Sequence, residues 1–339
     1  MNKKILITGA GGYIGSVAAY LFLQNGYEIV ALDNFSTGYR QPLELLVKKF
    51  GSDTLRVYEA DLKDDLTSIF AKEKDINAVV HYAASCVVDE SMKDPGKYYY
   101  NNVVGSLNLL QAMDKYNVKK IIFSSTCAIY GEAEYFPIDE KHPLKPSNPY
   151  GSSKKMVEEL IQFYGKLKEF NYVILRYFNV CGASDDGLIG DSKKPSTLLV
   201  QNAVRGALGI EKFYITCPNV ETPDKTPIRD YINVVDLNEA HLLAIKKLTD
   251  LQINIFGEII NLGTGTGNSV LEIVNKVQEV TGVKFSIEKT TPREGDDAKK
   301  IASIKKAKEV LGWQPRRTIK DSIKSLAKWY KVHPNGWER

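Results

Sequence analysis

The sequence K-K-I-L-I-T-G-A-G-G-Y-I-G (residues 3 to 15) begins with a short apolar run that predicts a β-strand. The run leads directly into three glycines with regular spacing, Gly9, Gly12 and Gly15, and the helical pattern V-A-A-Y-L-F-L follows. A strand, a glycine turn and a helix in this order allow a backbone to approach a pyrophosphate closely at a helix N-terminus. The stretch therefore predicts a dinucleotide site on a βαβ unit.

The second predicted strand supports this site. Asp33 ends that strand in V-A-L-D-N, where a carboxylate can accept hydrogen bonds from ribose hydroxyls. A carboxylate there would also repel a 2′-phosphate, so NAD is expected rather than NADP. The glycine spacing differs from the commoner G-x-G-x-x-G, because Ile14 stands where that pattern has its last glycine. The alternative for Asp33 is a surface carboxylate that caps the next turn.

Five further apolar runs alternate with helical patterns, at residues 28–32, 55–60, 78–82, 120–124 and 173–177. Nearly continuous apolar strands separated by helices are typical of a parallel sheet covered on both faces. We predict an α/β protein with a Rossmann-type doubly wound parallel sheet over residues 1–178. The remainder, 179–339, is richer in proline and glycine and predicts a smaller C-terminal lobe, mainly substrate-binding, with some segments packing back on the first domain. A strand at 258–262 and a Ser269/Glu272 capping box are expected within it.

The composition indicates an ordinary globule, with 43% hydrophobic and 25% charged residues among 339. No run approaches the length of a membrane span, and the N-terminal apolar stretch is too short for a signal peptide, so a cytoplasmic location is expected. The four cysteines lack metal-binding spacing, which predicts no metal site. Residues 289–339 carry 14 basic and 6 acidic residues, but the lysines follow helical patterns and suit a solvated face, so no nucleic-acid partner is predicted.

Three Tyr-x-x-x-Lys pairs occur, beginning at Tyr116, Tyr150 and Tyr164. Tyr150 and Lys154 have the best context, because their segment opens a predicted helix at Pro149 shortly after the fifth strand. That strand ends in S-S-T, and hydroxyls at the carboxyl end of a parallel strand lie where such sheets bind ligands. One helical turn brings the tyrosine and lysine onto the same face. The other two pairs fit ordinary surface positions.

Several motifs together resemble one family: G-A-G-G-Y-I-G, L-D-N-F-S-T-G, F-S-S-T-x-A-x-Y-G, P-Y-G-x-S-K, L-R-Y-F-N and N-L-G-T-G-x-G-x-S-V. They are similar to those of the extended short-chain dehydrogenase/reductases and, within that superfamily, of the UDP-glucose (UDP-galactose) 4-epimerase family. The resemblance implies inversion of carbon 4 of a UDP-hexose with tightly bound NAD, through a transient 4-keto intermediate. It also implies a homodimer that pairs through the helices near 94–116 and 150–169.

The resemblance carries residue roles. Tyr150 would be the general base and acid, and Lys154 would hold the nicotinamide ribose and lower the tyrosine pKa. Thr126 would hydrogen-bond the sugar 4-oxygen, with Ser124 beside the nicotinamide. The implied cofactor contacts are Gly9, Gly12, Tyr13, Ile14, Gly15, Asp33, Asn34, Ser36, Asp61, Leu62, Tyr82, Ala83, Ala84, Asn102, Ser124, Tyr150, Lys154 and Tyr177. The implied substrate contacts are Thr126, Tyr150, Asn179, Thr197, Leu198, Arg229, Arg293 and Lys300.

The chain departs from the family pattern at a few of these places. Cys86 stands where many members carry a lysine near the cofactor, and Thr197 stands where an asparagine often contacts substrate. Lys300 occupies a position whose bulk helps to admit or exclude N-acetylated sugars. Three interpretations of Lys300 follow: it obstructs an acetamido group, it attracts the carboxylate of a uronic acid, or it points to solvent.

The sequence leaves alternative functions. A 4-epimerase acting on a UDP-N-acetylhexosamine or a UDP-uronate would carry the same motifs. A nucleotide-sugar dehydratase needs an acid and a base after the active-site threonine, whereas Cys127 and Ala128 follow Thr126 here. A non-catalytic NAD-sensing module can lose the tyrosine or the lysine, and this chain has both.

Overall fold

A computed structural model of the chain describes residues 3–194, 196–216, 220–250, 256–290 and 297–338. Within these residues no helix is both long enough and apolar enough to cross a membrane. The strands are β1 Lys4–Thr8, β2 Glu28–Asp33, β3 Leu55–Glu59, β4 Ala78–His81, β5 Lys120–Thr126, β6 Asn171–Tyr177, β7 Asn179–Cys181, β8 Phe213–Thr216, β9 Ile228–Arg229, β10 Tyr231–Asn233, β11 Gly257–Leu262, β12 Asn268–Ser269, β13 Ile287–Thr290 and β14 Lys299–Lys300.

The helices alternate with the strands in the first half of the chain. They are α1 Tyr13–Gln24, α2 Gln41–Phe50, α3 Thr67–Lys72, α4 Val88–Lys93, α5 Pro95–Tyr98, α6 Gly105–Lys115, α7 Pro149–Lys168, α8 Leu199–Ala207, α9 Val234–Asp250, α10 Val270–Thr281, α11 Lys305–Leu311 and α12 Ile319–Val332. A π-helical turn, Tyr99–Val104, joins α5 to α6, and a 3₁₀ turn, Cys127–Tyr130, follows β5.

The central sheet has seven strands in the order β11-β6-β5-β4-β1-β2-β3. The pairs β1 with β2, β1 with β4, β2 with β3 and β4 with β5 are parallel. All six predicted strands of the first half are present, and the Rossmann-type doubly wound fold is confirmed. Because the chain passes from β1 to β2 on one side and returns to β4 on the other, the order reverses beside β1. Ligands of such sheets bind at the carboxyl ends of the strands at this point.

The chain divides into two compact units. The first comprises Met1–Gly131, Pro143–Arg176 and Asn238–Ile260, and the second comprises Glu132–His142, Tyr177–Leu237 and Asn261–Arg339. The first unit is built on the sheet, whose inner strands are buried on both faces; in β1, for example, every residue from Ile5 to Thr8 is inaccessible to solvent.

The second unit has a core of its own, in which apolar side chains of α8, α10 and α12 pack together. Its smaller sheets pair β10 with β7, β13 with β8, and β9 with both β12 and β14. The predicted strand at 258–262 is present as β11, which joins the central sheet. The predicted capping box is also confirmed, since the Ser269 side chain accepts from the Glu272 backbone and the Glu272 side chain accepts in return.

Candidate active site

The glycine turn brings three backbone segments together. Gly9 follows β1 with φ of +69°, and a Cβ built on it would lie 2.6 Å from the backbone nitrogen of Ala83. A Cβ on Gly15 would lie 2.2 Å from the carbonyl oxygen of Gly9. Neither position accepts a side chain, so the close packing of β1, α1 and the segment after β4 depends on these glycines. Gly12 precedes Tyr13 and Ile14 at the start of α1, where the N–H groups and helix dipole suit a phosphate.

Asp33 connects this turn to the end of β2. Its Oδ2 accepts from the backbone N–H of Gly11 at 2.8 Å, and its Oδ1 accepts from that of Phe35 at 2.8 Å. Burial raises the pKa of the Asp33 carboxyl group, although both backbone hydrogen bonds act in the opposite direction. Each carboxylate oxygen has a further lone pair for a ribose hydroxyl. Asp33 therefore caps the next turn and still suits ribose binding, so the two interpretations are compatible.

A second polar group lies where β3 ends. The Asn34 amide donates to Asp61 at 2.8 Å, and its oxygen accepts from the backbone and hydroxyl of Ser36 at 3.0 and 2.7 Å. The carboxylate of Asp61 also accepts from Lys63 Nζ at 2.7 Å. Burial alone would raise the pKa of Asp61, but the hydrogen bonds from Lys63 and Asn34 lower it overall. Leu62, the next residue, is buried.

The segment after β4 is clamped at two residues. Asn102, in the π-helical turn, accepts from the Ser85 N–H at 2.8 Å and donates to the Ser85 carbonyl at 3.0 Å. The Tyr98 hydroxyl accepts from the Val87 N–H at 2.9 Å and lies 2.6 Å from the Val87 carbonyl. Cys86 lies between these clamped residues. The backbone from Ser85 to Val87, which directly follows the predicted cofactor contacts Ala83 and Ala84, is thereby held in place.

Tyr82, at the head of this segment, contacts a residue from far along the chain. Its hydroxyl donates to Asn238 Oδ1 at 2.8 Å, and the Asn238 amide donates to the carbonyl of Ile14 at 3.3 Å. Asn238 thus links two predicted cofactor contacts, although it is not among the site residues predicted from the sequence. The stretch V-V-D-L-N at the start of α9 mixes apolar and polar residues and gives no local signal of this contact.

The first turn of α7 packs directly on the 3₁₀ turn that follows Thr126. The Asn148 side chain caps the helix by accepting from the Gly151 N–H at 2.9 Å, and Pro149 takes the first helical position as predicted. A Cβ on Gly151 would lie 2.6 Å from the carbonyl of Ala128. The glycine therefore permits the close approach of the helix that carries Tyr150 to the strand end that carries Thr126.

Lys154 lies deep against β5. Its Nζ donates to the carbonyl oxygen of Ser124 at 2.7 Å and lies 4.6 Å from the ring centre of Phe123. Only 2% of the lysine is exposed. Burial lowers its pKa to about 8, although Cys86 and Glu158 act in the opposite direction. A charged amine is thus held at a fixed place, in surroundings where its field is little screened by water.

The three Tyr-x-x-x-Lys pairs differ in their surroundings. Tyr150 is half-buried one turn before Lys154, and its ring meets that of Tyr98 edge to face at 6.4 Å between centres. Tyr116 stacks on Phe70, and Tyr164 packs against Phe170. Both of these rings pack on the core of the sheet, so the expectation of ordinary surface positions is wrong for the tyrosines.

The predicted substrate contacts that lie among the described residues fall in the second unit, apart from Thr126 and Tyr150. Asn179 opens β7 and donates from its backbone to the carbonyl of Asp230 at 2.9 Å. Arg229 in β9 donates from Nη1 to the carbonyl of Asp297 at 2.8 Å. Thr197 is exposed, whereas Leu198 is half-buried at the start of α8. Tyr177 ends β6 and is buried, and Arg293 lies outside the described residues.

Lys300 stands opposite Arg229 in the register of β14 and β9. Its Nζ forms an ion pair with the Asp297 carboxylate, and the two side chains are 13% and 17% exposed. The interpretation that Lys300 points to solvent is therefore wrong. Its positive charge is balanced by a carboxylate within the same strand-and-turn segment.

The glycine-rich stretch at 263–267 resembles a phosphate loop by composition. Its donors contact a carboxylate instead: Asp230 accepts from the N–H of Thr264 at 2.7 Å and from that of Gly265 at 3.0 Å. Asp230 is inaccessible to solvent, and burial raises its pKa. A buried carboxylate thus takes the N–H donors that a phosphate would need.

The doubly wound sheet, the glycine turn with Asp33, and a buried Tyr-x-x-x-Lys lysine fixed to the end of β5 define an enzyme of the short-chain dehydrogenase/reductase type. The chain belongs to the NAD dependent epimerase/dehydratase family, whose profile matches residues 5–263.

Relatives and solved structures agree over nearly the whole chain. A UDP-glucose 4-epimerase of Lactobacillus helveticus is 40% identical over 99% of both chains. The crystal structure of UDP-glucose 4-epimerase from Bifidobacterium longum, in complex with NAD+ and UDP, matches with a TM-score of 0.92 at 34% identity, covering 98% of this chain and 100% of that one. The UDP-Glc/GlcNAc 4-epimerase of Campylobacter jejuni matches with a TM-score of 0.82 at 38% identity, covering 97% and 99%.

Proposed function

We propose that this enzyme inverts carbon 4 of a UDP-hexose, interconverting UDP-galactose and UDP-glucose with tightly bound NAD. The observation that carries the proposal is Lys154, a nearly buried lysine held by the Ser124 carbonyl one turn after Tyr150. The glycine turn and Asp33 fit a dinucleotide, because the turn has no side chains in its closest approaches and the carboxylate stands ready for ribose hydroxyls. Bound at this turn, NAD would supply the acceptor, and then the donor, of the carbon 4 hydride.

The protein's own residues manage the proton. Tyr150 removes the proton of the sugar 4-hydroxyl while the hydride of carbon 4 would pass to the cofactor, and these two losses together leave a transient 4-keto sugar. Tyr150 gives the proton back to the 4-oxygen when hydride is returned to the opposite face. A free phenol titrates near 10, so lowering its pKa to about 7 needs roughly 4 kcal/mol of stabilisation of the phenolate. The ammonium of Lys154, desolvated and fixed in place, supplies much of that stabilisation. Thr126 holds the 4-oxygen, and Ser124 lines the site beside it.

Inversion requires that the sugar present both faces while the rest of the substrate stays bound. A diphosphate anchored by cations remote from carbon 4 satisfies this requirement. Arg229, together with Arg293, is the candidate for the diphosphate, with Asn179, Thr197 and Leu198 as further contacts to the UDP portion. Because the reaction restores NAD each turnover, the cofactor need not leave.

The surroundings of Lys300 favour a neutral hexose over a uronate. Its ammonium is already paired with Asp297, so a substrate carboxylate would have to displace a mostly buried partner. The test is to incubate the purified enzyme with UDP-galactose and to follow UDP-glucose formation without added NAD, alongside UDP-N-acetylgalactosamine and UDP-glucuronate. We expect turnover of UDP-galactose and least turnover of the uronate. No turnover of any of the three would refute the 4-epimerase assignment.

We also propose a cytoplasmic homodimer. Four apolar side chains along two neighbouring segments are 45 to 68% exposed: Tyr100 in the π-helical turn, and Met156, Phe163 and Leu167 on α7. The α7 residues recur at helical spacing and form one stripe, which is what a helix-to-helix interface requires. Light scattering on the wild type should give the mass of two chains, and Phe163→Glu with Leu167→Glu should give one. A monomeric wild type would contradict this part of the proposal.

A further inference from the structure

An ion pair lies buried directly behind the catalytic residues. Glu158 on α7 is 1% exposed, and Arg176 on β6 is 2% exposed. Arg176 donates from Nε to Oε1 of Glu158 at 3.0 Å and from Nη2 to Oε2 at 2.6 Å. Two charges removed from water to this degree need each other, because either one alone would be strongly disfavoured.

The remaining hydrogen bonds of the pair lead to the strand end that bears the candidate catalytic hydroxyls. Ser125 donates from its hydroxyl to Glu158, and it stands between Ser124 and Thr126. Arg176 donates from Nη1 to the Tyr130 hydroxyl at 3.1 Å, at the end of the turn that follows Thr126. The ion pair thus connects β6, α7, the end of β5 and the 3₁₀ turn.

The same carboxylate influences the catalytic lysine. Glu158 follows Lys154 by one helical turn, and the two interact electrostatically. Titratable groups on the surrounding elements include His81 on β4, Cys86 ahead of α4, Glu90 on α4, Tyr98 on α5, Tyr99 in the π-helical turn, Tyr130 after β5 and Tyr150 on α7. Among them His81 is neutral at working pH, because burial, followed by the charge of Lys154, lowers its pKa to about 3. Cys86 and, after it, Glu158 are the groups whose charges act on Lys154, and Arg176 in turn is bonded to Glu158.

Stability alone is a poor reason for such a pair. The free energy lost when two charges are removed from water is at best offset by their attraction. Apolar residues of the same volume often stabilise a fold equally well or better. The position of this pair points to another role, since each of its outer hydrogen bonds ends within a few residues of Ser124 or Thr126.

We propose that Glu158 and Arg176 are positioning residues for the reaction, which fasten the end of β5 to α7 and balance the charge that acts on Lys154. The inference rests on the proposed function and concerns residues that touch neither substrate nor cofactor. The pair would therefore act in two separable ways, through the alignment of the end of β5 (the alignment claim) and through the charge at Lys154 (the charge claim).

The charge claim is tested by the pH dependence of kcat/KM in Glu158→Gln and Arg176→Lys. Removing the carboxylate makes Lys154 lose its proton at lower pH, so the alkaline limb should move down by about 1 pH unit. Arg176→Lys keeps a positive charge beside Glu158, so its alkaline limb should stay where it is in the wild type. Both changes disturb the hydrogen bonds of the pair, so a merely structural role predicts the same result for both variants. A limb that stays in place in Glu158→Gln, or that moves equally in both variants, would overturn the charge claim.

The alignment claim is tested by Ser125→Ala, which keeps both charges and the fold of the ion pair. We expect kcat to fall about tenfold with KM and the alkaline limb unchanged, since a misaligned acid–base pair affects the reacting state most. Ser91→Ala is the matched control, because Ser91 is equally buried but its hydroxyl bonds only within α4, to the Val88 carbonyl. A kcat loss no larger than that of the control would overturn the alignment claim.

The activity of the wild type distinguishes a failure of the proposed function from a failure of the positioning role. A wild-type protein that turns over none of the three UDP-sugars refutes the proposed function itself. An active wild type whose Glu158, Arg176 and Ser125 variants behave like the control refutes only the positioning role.

Discussion

Replacing Lys154 by methionine should make the protein more stable while it abolishes activity. Methionine has nearly the length of lysine and no charge, so it fills the same space against Phe123 without the need to desolvate an ammonium. The wild-type lysine is 2% exposed and yet charged at neutral pH, because burial lowers its pKa only to about 8. The protein therefore bears a cost for this charge whenever the amine is protonated.

The size of that cost follows from the pKa. A fall from 10.5 to about 8 corresponds to roughly 3 kcal/mol of unfavourable free energy at neutral pH. Methionine also loses the hydrogen bond to the Ser124 carbonyl, which is worth about 1 kcal/mol. The net expectation is a free energy of unfolding about 2 kcal/mol higher for Lys154→Met at pH 7, with both proteins free of NAD.

The dependence on pH has a definite sign. Between pH 8 and 10.5 the unfolded chain binds a proton at this lysine that the folded chain has lost, so wild-type stability gains with rising pH relative to the variant. The difference in the free energy of unfolding between Lys154→Met and the wild type should be largest below pH 8 and should shrink towards pH 10.5. Urea unfolding at pH 7 and pH 9.5 measures this difference. The control is Lys155→Met, which replaces a neighbouring, partly exposed lysine on α7. A Lys154→Met protein less stable than wild type at pH 7, or a gap that does not shrink, would refute the reasoning.

Three further predictions concern activity and cofactor retention. Tyr150→Phe should remove nearly all turnover, while Tyr164→Phe should leave it almost unchanged; equal losses in an activity assay would mean that the wrong pair has been chosen. Gly15→Ala should lower NAD content on purification and destabilise the protein by more than about 1 kcal/mol, because its Cβ would lie 2.2 Å from a carbonyl oxygen, whereas Gly96→Ala, with 3.7 Å to its nearest neighbour, should do neither. Asp33→Asn should weaken NAD binding measured by calorimetry, and wild-type affinity should fall on acidification, since burial raises the pKa of this carboxyl and its protonation removes the acceptor.

The sheet and the cofactor turn could be predicted from sequence because their signals are local. Each strand of the first half is a short β-branched run, and each lies within two residues of its predicted bounds. The start of α7 at Pro149, with Asn148 as its cap, is likewise written in consecutive residues. Periodicity, turn residues and caps all act over a few positions, so a single sequence displays them.

Contacts between distant parts of the chain could not be predicted in this way. Asn238 bonds to Tyr82 and Ile14, which precede it by 156 and 224 residues, and neither partner marks the other in the sequence. Lys300 shows the same limit. Its partner Asp297 is near in the sequence, but the burial of the two side chains depends on residues from other parts of the chain. The burial of a residue depends on which other parts of the chain pack around it. This burial decides how strongly water screens the charge of the residue.

Burial also distinguishes the pair Tyr150 and Lys154, to which we assign proton transfer, from the pair Tyr164 and Lys168. Lys168, the partner of Tyr164, is 55% exposed and pairs with Asp114, so water and a carboxylate screen its charge. Burial raises the pKa of Tyr164 itself, which is the opposite of the change that a general base needs. Lys154 differs because β5 encloses it and the Ser124 carbonyl fixes it, which keeps its field strong at the place where Tyr150 stands. The spacing that the three pairs share places a lysine near a tyrosine. Burial against the sheet reduces the screening of the lysine charge, and only then can that charge lower the pKa of the tyrosine.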